Sequence, residues 1–453
     1  MIHQMKNILK TQILYSLTIS LFLVIGLPRF AQAQTVIRDS EIEAYLSEWF
    51  TPIFKANDMQ PNQVKIILVQ SNEINAFVAG GSNIFFYTGL IDRTDNPDEL
   101  IGVMAHELGH ISGGHLVRGR AAMERASYES IIGTIIGVGA AVATGNAGAA
   151  GAGSLAANSV AERRFLSKAR TFESTADQAA IKSMNRANIS PEGLMTFLEK
   201  LEGEEFLPNS QQSEYIRSHP LTRNRIESVQ AAVEKPGQDY PPVSEKWTDQ
   251  HARMKAKLMG FINPEQVAWK YDDSDQSVPA NYARAVAYYR QNQIDKALNK
   301  VNALISQEPN NPYFYELKGQ MLFEFGRIKE SLPAYQKAID LLPQSGLIRT
   351  ALAHAQIENA GDQPKLLNEA IENLNRAAQD EPRSTEVQRL LATAYGRQGK
   401  DAYARLHLGE EALLQGKMDY AKQQATTALK GLPENSASAL RAKDIIAFVD
   451  KNK

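Results

Sequence analysis

Three residues in the first third of the chain have the types and spacing needed for metal chemistry. His106, Glu107 and His110 form the pattern His-Glu-Leu-Gly-His. Residues four apart stack one turn apart on a helix, so both imidazoles can reach one metal ion. The carboxylate after the first histidine is then placed to act on a water molecule at that ion. The pattern predicts one zinc ion per chain with Glu107 as the base. The alternative is a chance match in a buried helix.

The flanking sequence predicts the helix that this spacing requires. Asn96 is a suitable N-cap, Pro97 suits the first helical position, and Glu99 completes an Asn-x-x-Glu capping box. Apolar residues follow at helical spacing, and Gly113-Gly114 is expected to end the helix.

A zinc peptidase with two histidines needs a third protein ligand, so that one position stays open for water. Glu173, in the stretch Glu-Ser-Thr-Ala-Asp of a second helical pattern, is the predicted ligand. Asp177 lies one turn further on the same face. It is predicted to accept the spare N–H of a ligating histidine and to fix its tautomer. The alternative for Glu173 is a solvated helix carboxylate.

Two further histidines and one arginine are candidates near this site. His219 precedes Pro220, which predicts an extended turn before a helix. It either donates to the oxyanion of the tetrahedral intermediate, or ligates the open zinc position and holds the enzyme idle; a capping or surface histidine is the third interpretation. Arg225 is a candidate for the same oxyanion or for a structural carboxylate pair. His115 misses the third-histidine position of a metzincin by one residue, so we interpret it as a structural histidine.

The segment before the metal helix predicts a small sheet. Residues 40–55 have the spacing of an amphipathic helix, residues 64–69 that of a strand, and residues 75–89 that of a hairpin with a glycine turn. A strand just before a zinc helix is well placed to pair with an extended peptide, although an ordinary covered strand fits equally well.

Composition limits the classes of protein. The chain has 453 residues, enough for two or three domains, and its 49 basic and 51 acidic residues do not indicate a nucleic-acid binder. It has no cysteine, which excludes disulfides and thiolate zinc sites.

The first 33 residues have the pattern of a secretory signal. A basic start precedes an apolar run and the cleavage pattern Ala31-Gln32-Ala33. We expect cleavage after Ala33 and a periplasmic location, with a retained membrane anchor as the alternative.

Residues 130–161 contain no charged residue and are dominated by glycine and alanine after an apolar start. We interpret them as a helical hairpin of small residues that forms a mobile lid. Shallow membrane contact is the alternative.

The C-terminal third repeats. Prolines follow helical patterns at 309, 343, 382 and 433, and small residues recur in phase before them. The first interval is about 34 residues, the period of tetratricopeptide repeats. We predict a signal peptide (1–33), a metallopeptidase domain (34–262), a linker (263–278) and a repeat domain (279–453). The fold class is an α+β, zincin-like peptidase, mostly helical with a small sheet, followed by an all-α repeat solenoid.

Five motifs together resemble the peptidase family of CAAX prenyl endopeptidases and HtpX-type membrane proteases. They are Asn75-Ala76-Phe77, Tyr87-Thr88-Gly89-Leu90, His106-Glu107-Leu108-Gly109-His110, Glu173-x-x-Ala176-Asp177 and Ser218-His219-Pro220.

The resemblance implies that His106, His110 and Glu173 bind zinc and that Glu107 is the base. It also implies that Asp177 supports a ligand histidine and that His219 is a fourth contact or a transition-state donor. The repeats and the signal make the chain most similar to periplasmic members that act in assembly and quality control of outer-membrane proteins.

The expected function is therefore a zinc endopeptidase with chaperone-like activity that degrades misfolded or stalled outer-membrane proteins. Its repeats would contact the outer-membrane assembly machinery, and peripheral membrane contact is an open alternative. The rival interpretation is a non-proteolytic repeat adaptor with a latent protease domain.

Overall fold

The computed structural model describes residues 35–114, 159–208, 210–361 and 363–452, without the side chains of residues 62 and 159–169. The signal peptide, His115 and nearly all of the uncharged segment 130–161 lie outside these ranges, so their interpretations stay predictions. Residues from Thr35 onward form one compact unit. In the part of the chain described, no helix combines the length and apolarity needed to cross a membrane.

A four-stranded sheet lies at the start of this unit. Its strands are β1 (Thr35–Ile37), β2 (Lys65–Gln70), β3 (Ala76–Ala79) and β4 (Asn83–Tyr87), in the order β1-β2-β4-β3. Strands β3 and β4 form the antiparallel hairpin predicted from the sequence, whereas β2 runs parallel to β4. Strand β1 was not predicted, because three residues are too short to show an alternating pattern. Among the described strands, β3 is therefore at an edge of the sheet.

Helix α1 (Ser40–Ala56) covers the sheet. The Asp39 side chain caps it by accepting hydrogen bonds from the N–H groups of Glu41 and Ile42. Its apolar face is buried, and the ring of Phe50 stacks on Phe86 of β4 with centroids 5.7 Å apart. The amphipathic helix predicted at residues 40–55 is confirmed.

Among the described residues, eight further helices and three 3-10 turns complete the first half. They are α2 (Thr88–Arg93), α3 (Pro97–Ser112), α4 (Ser159–Ala187), α5 (Glu192–Leu201), a 3-10 turn (Glu202–Phe206), α6 (Glu214–Ser218), α7 (Arg223–Val233), α8 (Glu245–Ile262) and α9 (Val267–Lys270); single 3-10 turns lie at Pro61–Gln63 and Pro264–Gln266.

Helix α3 is the helix predicted for the metal site, and its N-terminus differs from expectation in one detail. Asn96 accepts a hydrogen bond from the Glu99 N–H, as a cap should. The Glu99 carboxylate does not close the capping box, however; it accepts from the Asp95 N–H and from Lys200 of α5. Lys200 is distant from Glu99 in the sequence, so the local pattern does not reveal that it bonds this carboxylate.

Two glycines let neighbouring helices approach α3 closely. A Cβ atom at Gly102 would lie 2.6 Å from the Leu194 backbone nitrogen of α5, and one at Gly109 would lie 2.6 Å from the Ala176 carbonyl oxygen of α4. Such distances are far below van der Waals contact, so only glycine permits this packing. The second contact lies between Glu173 and Asp177 and holds α4 against the His-Glu-x-x-His turn.

In the part of the second half that the structure describes there are ten helices, and successive helices pack against each other as in tetratricopeptide repeats. They are α10 (Val278–Arg290), α11 (Ile294–Gln307), α12 (Pro312–Glu324), α13 (Ile328–Leu341), α14 (Gly346–Asn359), α15 (Pro364–Asp380), α16 (Thr385–Arg397), α17 (Asp401–Leu414), α18 (Met418–Leu429) and α19 (Ala437–Lys451). The repeat architecture is confirmed, including the extra helix before the last repeat and the terminal helix.

A buried polar cluster joins the two halves. The Lys257 ammonium of α8 donates to Asp39 at 2.9 Å and to Glu41 at 3.1 Å, and the Tyr282 hydroxyl of α10 donates to Glu41 at 2.6 Å. Buried charges need such partners, because an unpaired ion in the interior is costly. The first repeat is thus fastened to helix α1. The predicted domain limits at 262 and 278 stay predictions.

His251 of α8 predicts an acid-sensitive stability. Burial, with a smaller contribution from Lys255 and Lys200 against Asp95, lowers its pKa to about 3, and its Nε2 atom lies 2.9 Å from the Thr94 hydroxyl oxygen. A histidine in the unfolded chain has a pKa of about 6.5. Below about pH 6.5 the unfolded state therefore binds a proton at His251 that the folded state does not bind. The free energy of unfolding should therefore fall between about pH 6.5 and about pH 3.

Urea unfolding of the wild type and of His251→Gln at two pH values checks this. Between about pH 7.5 and about pH 5 the wild type should lose on the order of 2 kcal/mol more than the variant, which has no imidazole to protonate. Equal losses in the two proteins would show that His251 does not contribute.

Candidate metal centre

Two helices and one turn bring the chemically competent side chains together. Helix α3 carries His106, Glu107 and His110, helix α4 carries Glu173, and the turn after α6 carries His219. Ligand atoms of the two helix histidines, Glu173 and His219 all lie within 4.8 Å of one another. His110 is half-buried and the other three are buried. Residues distant in sequence thus converge on one point with metal-ligating chemistry.

The inner distances suit a shared cation. His106 Nε2 lies 3.0 Å from His110 Nε2, 3.2 Å from one Glu173 carboxylate oxygen, and His110 Nε2 lies 3.4 Å from the other. Two imidazole nitrogens and one carboxylate oxygen are a ligand set that zinc prefers. The donor set therefore fits a zinc ion.

Asp177 and Arg225 contact two of these candidate ligands, His106 and Glu173. Asp177 Oδ1 lies 2.9 Å from His106 Nδ1, and Arg225 donates to both Asp177 oxygens, at 2.7 and 2.9 Å. Arg225 also lies 3.1 Å from a Glu173 oxygen. Burial raises the pKa of Asp177, but the Arg225 charge and these hydrogen bonds outweigh it and lower that pKa to about 2. The ionised Asp177 favours the proton on His106 Nδ1 and leaves Nε2 free to ligate. Of the two interpretations of Arg225, the structure shows the carboxylate pair.

Glu107 is buried beside these groups in an unusual state. Neither of its carboxylate oxygens has a hydrogen-bond partner among the described residues. Burial raises its pKa, against the charges of His219 and His106. An unpartnered buried carboxylate is destabilising, and such a group calls for an explanation in function. This position suits a general base that accepts a proton from a water molecule.

His219 is buried at the centre of the site, so it is not a surface histidine, although it does occupy the C-cap position of α6. Its Nδ1 lies 3.2 Å from a Glu173 oxygen, and its Nε2 lies 3.3 Å from the Ala76 carbonyl oxygen of β3 and 3.5 Å from Glu107. The proline at 220 and the short helix α6 hold it there. This position is compatible with both remaining roles, metal contact and transition-state donor.

Two histidines of this site have raised pKa values. Burial lowers the pKa of His106, but Asp177 and Glu173 outweigh it and raise that pKa to about 9. The pKa of His219 is also raised, because Glu173 and Glu107 outweigh its burial. Since a ligating imidazole must give up that proton, metal binding at neutral pH displaces protons from this site.

Tyr215 is a residue of this centre that sequence reasoning missed. Its ring lies against the His219 ring, with centroids 4.7 Å apart, and its hydroxyl is buried with no hydrogen-bond partner in the described ranges. Burial and the Glu107 charge raise its pKa, so the phenol is neutral. The spacing of four residues between Tyr215 and His219 was the available signal, but it is common in helices.

Fold and site together define a metallopeptidase domain joined to helical repeats. Residues 38–233 match peptidase family M48, and residues 282–346 match a tetratricopeptide repeat family. The chain therefore carries a peptidase family M48 domain in residues 38–233, followed by tetratricopeptide repeats. The family resemblance drawn from the sequence motifs is confirmed.

Two relatives share both parts. The chain is 26% identical over 365 residues to the beta-barrel assembly-enhancing protease of Yersinia pestis, covering 78% of this chain and 72% of that protein. It is 28% identical over 318 residues to the protein of the same name from Escherichia coli (strain K12), covering 68% of this chain and 62% of that protein. The second match thus spans less than two thirds of the relative.

Among solved structures, one of MamA ("MamA MSR-1 C2") aligns at 19% identity with 37% of this chain and 97% of its own, with a TM-score of 0.31. A likeness at this score carries no argument about the chain.

Proposed function

We propose that the chain is a zinc-dependent endopeptidase of the periplasm that cleaves unfolded or stalled outer-membrane proteins. One observation carries the chemistry: ligand atoms of His106, His110 and Glu173 converge beside the unpartnered carboxylate of Glu107. The site residues keep the roles that the sequence predicted for them.

His106, His110 and Glu173 would hold one zinc ion. When bound, zinc acts as a Lewis acid that polarises the scissile carbonyl and makes a nearby water molecule more acidic. Asp177, itself held by Arg225, keeps His106 in the tautomer that can ligate.

Glu107 performs the proton transfers. Its buried carboxylate accepts a proton from the attacking water and then passes it to the leaving amine, which balances the hydrolysis. Burial raises the pKa of Glu107, which favours the protonated carboxyl that forms in this step.

His219 would be a fourth contact of a bound metal and would thereby keep the resting enzyme latent. The support is its position: its ligand atom lies within 4.8 Å of those of the other three residues. Its Nε2 also lies beside the carbonyl oxygen of Ala76, on the edge strand β3 where an extended client would pair. Displacement of one ring would thus free both the metal and the strand edge.

The client class rests on the relatives and the sequence. Both relatives are named beta-barrel assembly-enhancing proteases. The first 33 residues have the pattern of a signal peptide, and the stacked repeats offer an extended surface for a protein client or the outer-membrane assembly machinery.

Cleavage of one outer-membrane β-barrel protein in two states tests this proposal. The purified chain should cut the urea-unfolded protein after dilution and should spare the same protein folded in detergent micelles. An unfolded soluble protein of similar length is the control for client class. Equal cleavage of folded and unfolded barrel would overturn the client assignment, and no cleavage of any of them would overturn the peptidase assignment.

The position of His219 also favours a second candidate, a repeat adaptor whose protease is idle most of the time. Complementation of a deletion strain separates the two. If Glu107→Gln restores outer-membrane protein assembly as well as the wild type does, the adaptor role dominates; if it fails while folding normally, proteolysis is the cellular function.

A further inference from the structure

One buried hydroxyl at the metal centre has no explanation in the chemistry described so far. Within the described ranges, five side-chain atoms are buried without a hydrogen-bond partner, and the Tyr215 hydroxyl is the only one that belongs to a tyrosine. Other buried tyrosines satisfy this group: Tyr45 and Tyr282 each donate to Glu41, at 2.7 and 2.6 Å. A buried hydroxyl without a hydrogen-bond partner is destabilising, so its retention calls for a reason.

Tyr215 is held rigidly at the site. Its ring contacts the rings of His219, at 4.7 Å between centroids, and of Phe197, at 5.3 Å. Its backbone N–H donates to the Ile74 carbonyl next to β3, and its own carbonyl accepts from the His219 N–H at 2.7 Å. The ring contacts and the backbone hydrogen bonds together fix the position of Tyr215.

The orphaned donor has orphaned acceptors in the same centre. In the described ranges neither Glu107 oxygen has a hydrogen-bond partner, although His219 Nε2 lies 3.5 Å from one of them, so the Tyr215 hydroxyl does not bond to them. A group that accepts from the tyrosine and donates to Glu107 would satisfy both. The attacking water has this property, because it donates to Glu107 and its oxygen becomes part of the tetrahedral intermediate.

We propose that the Tyr215 hydroxyl donates a hydrogen bond to an oxygen of the tetrahedral intermediate and is a further catalytic residue of this peptidase. The inference rests on the proposed peptidase function. Tyr215 is a neutral donor fixed in a buried, water-poor site, where such a hydrogen bond is worth more than in water. Its unpartnered state in the resting protein is then the cost of a donor kept free for the transition state.

Tyr215→Phe tests the inference with readouts of activity and of stability. Cleavage of an unfolded protein should fall about 100-fold in kcat with KM nearly unchanged, the usual effect of losing one oxyanion donor. A phosphinic peptide, which mimics the tetrahedral intermediate, should bind more weakly by a similar factor. Zinc content should be unchanged, and the melting temperature should stay the same or rise, because an unsatisfied group is removed.

Tyr282→Phe is the matched control, since it also removes one hydroxyl from a fully buried tyrosine. It should lower the melting temperature and leave kcat and inhibitor affinity unchanged, because its hydroxyl is bonded at the repeat junction. If Tyr215→Phe keeps both kcat and phosphinic peptide affinity while the wild type cleaves, the tyrosine proposal is wrong and the peptidase proposal stands. If the wild type neither cleaves nor binds the inhibitor, the peptidase proposal itself fails, before the variant is considered.

Discussion

Glu107→Gln should abolish cleavage of an unfolded protein, with kcat reduced about ten-thousand-fold, while zinc binding and fold are retained. Glutamine has nearly the same shape but cannot accept a proton, so the attacking water loses its base. The two ligand histidines and Glu173 are unaltered, and the zinc content should therefore stay at one per chain. The free energy of unfolding should not fall, because the replaced carboxylate is buried without a hydrogen-bond partner.

Glu99→Gln is the control for this substitution. Glu99 is a second buried carboxylate on the same helix, bonded to Lys200 and to the Asp95 N–H, away from the ligand cluster. Its substitution should lower the melting temperature and preserve cleavage, the reverse of the result for Glu107. Cleavage retained by zinc-loaded Glu107→Gln would show that another group is the base.

His219→Ala should raise cleavage of the same unfolded protein by roughly tenfold, as expected if a closed state with His219 at the metal is favoured by about 1.4 kcal/mol. The imidazole lies close to Glu173, Glu107 and the edge strand β3. Its removal would therefore make both the metal position and the strand edge accessible to a client. Zinc content should remain at one per chain, because three ligands stay in place.

The opposite result has a definite meaning. A fall of about 100-fold in His219→Ala, at unchanged zinc content, would make His219 a transition-state donor and would contradict the latent state. Arg217 is a half-exposed residue of the same short helix. Arg217→Ala should leave cleavage unchanged and controls for a disturbance of that helix.

The local parts of this structure were accessible from sequence because each has a physical signature. Asn96 and Pro97 mark the start of the metal helix, and the spacing of His106 and His110 places two ligands on one face. The hairpin and the repeats follow from glycine turns and from the recurrence of small residues and prolines. Glu173 was predicted because a two-histidine zinc site needs a third protein ligand, and Asp177 because it lies one turn further on the same helix face.

The features that were missed depend on tertiary contacts. The parallel pairing of β2 with β4 and the capture of Glu99 by Lys200 join residues far apart in the chain. Gly109 has no local role in its helix, and only its contact with Ala176 shows that it sets the distance between the two ligand helices. Tyr215 has an ordinary helical pattern, so only its burial and unpartnered hydroxyl mark it.

The most direct test is a zinc titration of the metal-stripped full chain, with cleavage of an unfolded protein measured at each point. His219→Ala, freed of its closing contact, is titrated alongside the wild type. Cleavage should be absent without metal, rise in proportion to added zinc, and reach its plateau at one equivalent per chain. Cleavage by the metal-free chain, or tight binding of zinc with no cleavage in either protein, would contradict the assignment of this centre as a zinc peptidase site.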